Sequence, residues 1–113
     1  MRLRIFAFIS SILFNAVTFQ VFADTDEQLA AIEHLGQLNG VALQCKYVDQ
    51  TRHIKQALVA VLPKQRNLGQ VFQDATNKSF LEFIEQGGKC PAKDVLGTRI
   101  DSGVVALGSV FQN

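Results

Sequence analysis

The sequence predicts an all-α fold: a small bundle of four to five helices, clamped by one disulfide. Three observations predict it. Apolar residues recur at three- and four-residue steps through most of residues 25–111. Residues that start or stop helices punctuate these stretches at intervals suited to short helices. Val104-Val105-Ala106-Leu107 could form a strand, but no partner strand is evident elsewhere, and helix is the expectation.

Residues 1–23 stand apart and read as a cleavable secretory signal peptide. Arg2 and Arg4 form a basic start, Ile5 to Val17 an apolar centre, and Val21-Phe22-Ala23 a cleavage site. Ser10, Ser11, Asn15 and Thr18 interrupt the apolar run, which falls short of the roughly 20 residues a spanning helix needs. The expected location is therefore the bacterial periplasm or the exterior. The expected domain is residues 24–113, with no stable membrane insertion after cleavage.

The first helix is expected from Thr25 to about Val48. Thr25 or Asp26 caps it, and Leu29, Ile32, Leu35, Leu38 or Asn39, and Ala42 form its stripe. Gly36 and Gly40 weaken it by about 1 kcal/mol each relative to Ala. Their spacing puts both on one face, a strip without side chains where another helix can approach or a partner can bind; the alternative is a kink or break at Asn39-Gly40 that gives two shorter helices. The second helix starts at Asp49 or Thr51 and continues through Ile54, Ala57, Leu58, Val61 and Leu62, and Pro63 ends it or starts a connector. The third begins near Lys64 to Asn67 and ends at Gly87-Gly88. Its polar run Thr76-Asn77-Lys78-Ser79 is a candidate break. The last helix opens at Cys90-Pro91, with Val95, Leu96, Ile100, Val104, Leu107 and Phe111 spaced for one buried face.

Cys45 and Cys90 are the only cysteines. An even count in an exported chain reads as a disulfide. It joins the end of the first helix to the start of the last. No further ligands flank either cysteine, so no metal is expected, and no cofactor.

Charge excludes other classes. Without Arg2 and Arg4 the domain keeps nine basic residues against ten acidic ones. Nucleic-acid binding needs clustered Lys and Arg, and no such run is evident.

Catalytic sets are sparse. Asp49 and His53 stand four apart, as an orienting pair would, and His34 lies on the first helix. Glu82 and Glu85 stand three apart on one helical face, not across a cleft. Ser79, Ser102 and Ser109 lie in no nucleophile elbow. The expected class is a non-enzymatic exported protein that acts by binding another protein, as an inhibitor, immunity protein or chaperone-like factor. The alternative is a structural or accessory component of a secretion or envelope assembly, and a homo-oligomer fits either. In outline the chain resembles type VI secretion immunity proteins and periplasmic acid-activated chaperones, which are small, helical and disulfide-clamped.

Overall fold

The computed structural model describes residues 25–112. They form four helices: α1 Asp26–Gln44, α2 Val48–Val61, α3 Arg66–Glu85 and α4 Lys93–Val110. The signal-peptide reading of residues 1–23 falls outside the described residues. Val104–Leu107 lies inside α4, and there is no strand among the described residues.

Helix α1 begins on a capping box. The Thr25 hydroxyl accepts from the Gln28 amide at 3.2 Å, and the Gln28 side chain accepts from the Thr25 amide at 3.0 Å. Asp26 and Glu27 add favourable charge in the first turn. The helix ends at Gln44, short of the Val48 that periodicity suggests. Lys46 turns the chain with φ 58°, while Lys46 N–H donates to Leu43 and Tyr47 N–H to Ala42. This is a Schellman stop carried by lysine instead of glycine. Lysine gives no stop signal in a sequence, so the boundary is legible only in the backbone.

Helix α2 starts at Val48, one residue before Asp49 and three before Thr51, the expected caps. Tyr47 precedes it without a side-chain cap bond, and Asp49 sits in its first turn. Thr51 is buried and donates to the Val48 carbonyl at 2.8 Å. Helix α3 runs unbroken through Thr76–Ser79. That polar run is bonded across to α1: Asn39 Nδ2 donates to Thr76 Oγ1 at 3.3 Å, and Ser79 Oγ donates to the Gln37 carbonyl at 2.7 Å. The predicted glycine stop operates, with Gly87 at φ 59° and Gly88 N–H donating to Phe83. Helix α4 starts at Lys93, two residues beyond Pro91.

Helix α1 is the central element, and the other three pack against it. Ile32, Leu35, Leu38 and Ala42 of α1 meet Ile54 and Leu58 of α2, Leu68 of α3, and Leu96, Ile100 and Leu107 of α4 in one buried cluster. The α1–α3 seam is very close. A Cβ built on Gly36 would lie 2.6 Å from the Ala75 Cβ, and one on Gly40 2.7 Å from the Thr76 carbonyl oxygen. No side chain fits there, so the glycines set the distance between the two helices.

The Cys45–Cys90 disulfide spans 45 residues with a Cα separation of 5.6 Å. It joins the end of α1 to the segment before α4, and Tyr47 OH donates to the Pro91 carbonyl beside it at 2.8 Å. Closing a loop of this length stabilises the fold by about 4 kcal/mol in the chain-entropy model.

Candidate functional site

The residues that suggest chemistry are dispersed. Asp49 pairs with Lys93 at 3.3 Å and Arg52 at 3.9 Å, not with His53. His53 Nε2 lies 3.4 Å from the Asp101 carboxylate of α4, and both side chains are more than half exposed. His34, Glu82 and Glu85 are exposed, and Glu82 lies 4.0 Å from Lys78. Among the described residues no three His, Cys, Asp or Glu side chains gather as a metal site. Cys45 and Cys90 are bonded to each other. Gly36 and Gly40 are buried against α3, so their strip serves packing within the chain. It is not an exposed face for a partner.

A shallow cleft over the α1–α3 seam is lined by Glu33, Gln37, Asp74, Lys78 and Glu82 around Val71 and Ala75. Its charges are mixed and solvated, and it holds no buried polar atom without a partner among the described residues.

The distinctive surface lies on the other flank of α3. Helices α2 and α3 leave their shared turn and diverge, so that no Cα of one comes within 8 Å of a Cα of the other. Between them lies an open groove of about 600 Å³. Leu58, Val59, Leu62 and Phe72 supply its apolar surface, with Gly69 and Pro63 beside them. Val59 is 84% exposed. Lys55, Lys64 and Arg66 form the rim, and no acid among the described residues lines the groove. None of these three cations is in an ion pair among the described residues.

The apolar wall continues outward along α2, where Val48, Val59 and Ala60 stand beside Arg52 and Lys55. Contiguous apolar surface with a polar rim marks an interaction site on a small protein. The groove was not read from the helical pattern, though a signal is present. From Gln50 to Gln73 the chain carries Arg52, Lys55, Lys64 and Arg66 and no Asp or Glu. Spread over two helices and a turn, these cations form no run, and only the fold collects them.

Comparison with known family models, curated proteins and solved structures returns no match. The fold and surface define an all-α, disulfide-clamped helical protein. Among the described residues no helix is long and apolar enough to cross a membrane.

Proposed function

We propose that this chain is an exported, non-enzymatic binding protein of the periplasm or exterior, whose target is an acidic, partly apolar segment of another protein. The groove between α2 and α3 carries the reading. Its apolar surface rewards burial of apolar side chains, and its three unpaired cations select a segment bearing Asp or Glu. A trough between two splayed helices suits an amphipathic helix better than an extended strand, because it presents no sheet edge to pair with. The disulfide and the basic, apolar N-terminus support export.

Two measurements test this. The exported protein, isolated from the cell envelope, is expected to begin at Asp24; an intact residue 1 would overturn the leader reading. In pull-downs from periplasmic extract, the wild-type chain is expected to retain one dominant partner. Lys55→Glu with Lys64→Glu should lose it while helicity is unchanged. Equal retention by both proteins rejects the groove as the binding site.

A further inference from the structure

Helix α2 is one wall of the groove, yet nothing fixes it to the other wall. It buries Thr51, Ile54 and Leu58, and it packs on α1 and α4 but not on α3. The groove therefore depends on how α2 sits on α1 and α4. At the start of α2 that seat is one short stretch of chain. Tyr47 OH donates to the Pro91 carbonyl at 2.8 Å, Gln50 Nε2 to the Lys93 carbonyl at 2.6 Å, and Lys93 Nζ to the Asp49 carboxylate at 3.3 Å. Gln50 also packs over Gly97, its Nε2 3.4 Å from a Cβ built there. One turn further, His53 faces Asp101. The chain leading into this stretch, residues 86–90, is exposed and outside any helix. Cys90 ties it to the end of α1 through Cys45.

We propose that the Cys45–Cys90 bond gates the groove. Oxidised, it holds Pro91–Lys93 against the start of α2 and keeps Lys55, Leu58 and Val59 in place opposite Phe72. Reduced, it lets that stretch go, α2 loosens on α1, and the acidic segment is no longer held. The consequence for binding rests on the reading of the groove given above; the coupling of the disulfide to α2 does not. A dithiol is the reductant: it gives two electrons and two protons to the sulfurs of Cys45 and Cys90, which become thiols, and is itself oxidised to a disulfide. Cys90 is exposed and Cys45 half-buried, so the bond lies within reach. The α1–α3 seam does not run through the clamp, because Gly36 and Gly40 meet Ala75, Thr76 and Ser79 directly. The opening is therefore confined to α2 and the start of α4. Apparent affinity falls with the fraction of chains whose groove is formed, which restricts binding to an oxidising compartment.

Hydrogen exchange of the exported protein, disulfide intact and then reduced with dithiothreitol, tests the gate. The ratio of exchange in α2 to exchange in the α1–α3 seam should rise at least about tenfold on reduction. An unchanged ratio, whether every helix loosens alike or none does, overturns the proposal, and so does a reduced chain that has lost its helicity. Tyr47→Phe with Gln50→Ala, in the oxidised chain, removes two of the ties and should raise the same ratio at least about fivefold. No rise there also overturns it. For binding, Cys45→Ala with Cys90→Ala replaces dithiothreitol, which would reduce the extract as well. This chain should retain at least about tenfold less of the periplasmic partner than the wild type; equal retention overturns the gate. If neither chain retains a partner and the exchange ratio still rises, the binding reading fails and the coupling of the disulfide to α2 stands.

Discussion

The two flanks of α3 are built on opposite terms. Toward α1, glycines remove side chains until one backbone touches the other, and the gap is closed by Ala75, Thr76 and Ser79. Toward α2 the backbones diverge and leave Leu58, Val59, Leu62 and Phe72 lining an open groove. The closed flank uses small and polar residues; the open flank displays large apolar ones. A chain this size has little apolar surface to spare for its core. Leaving Val59 and its neighbours uncovered costs stability, and a protein tolerates that where the surface binds something. The comparison therefore separates the flank that holds the fold from the flank we propose as the binding surface.

The largest expected effect comes from releasing both flanks together. Helices α2 and α3 lie within the loop that Cys45–Cys90 closes. Reducing the disulfide, or replacing both cysteines with Ala, should cost about 4 kcal/mol, read from urea unfolding of oxidised and reduced protein. A loss below about 1 kcal/mol would mean that the α1–α3 seam holds the bundle without the clamp.

Next is the seam itself. Gly40→Leu drives a side chain into the Thr76 carbonyl and the Phe80 amide, both within 2.8 Å of the Cβ position. Backbone atoms cannot rotate away, so α3 must shift, at about 3 kcal/mol. A thermal melt unchanged from wild type would show that the helices are not in this contact.

These positions also show how much of the molecule was legible. The helical class and the value of Gly36 and Gly40 to close packing follow from spacing, because helical period and glycine spacing are local properties, and the cysteine pair follows from an even count in a chain read as exported. The continuity of α3 was not legible. Thr76–Ser79 looks like a break because polar residues commonly end helices, yet Thr76 and Ser79 are bonded to Asn39 and Gln37 on α1. The end of α1 was hidden because its left-handed residue is Lys46. The groove was hidden because its rim joins residues of α2, the turn and α3. For α3 and the groove the missing information is a contact between segments; for α1 it is a local backbone conformation that lysine does not announce.

A smaller effect isolates the polar part of the seam. Ser79→Ala removes the 2.7 Å bond to the Gln37 carbonyl and should cost about 1 kcal/mol. Gln37 is exposed, so water can satisfy its carbonyl in the variant, which keeps the loss near that value. Denaturant midpoints at constant slope measure it.

The smallest effect has the opposite sign, and it turns on one residue type placed on the two flanks. Gly40 faces backbone; Gly69 lies on the open flank, exposed, with nothing within 4 Å of an added Cβ. In Gly69→Ala the new methyl meets no neighbour, so only backbone entropy and helix propensity change. Both favour alanine inside a helix, and the variant should be more stable by about 0.5–1 kcal/mol. A destabilised variant would mean that α2 and α3 close over Gly69, and that the two flanks are less different than their geometry states.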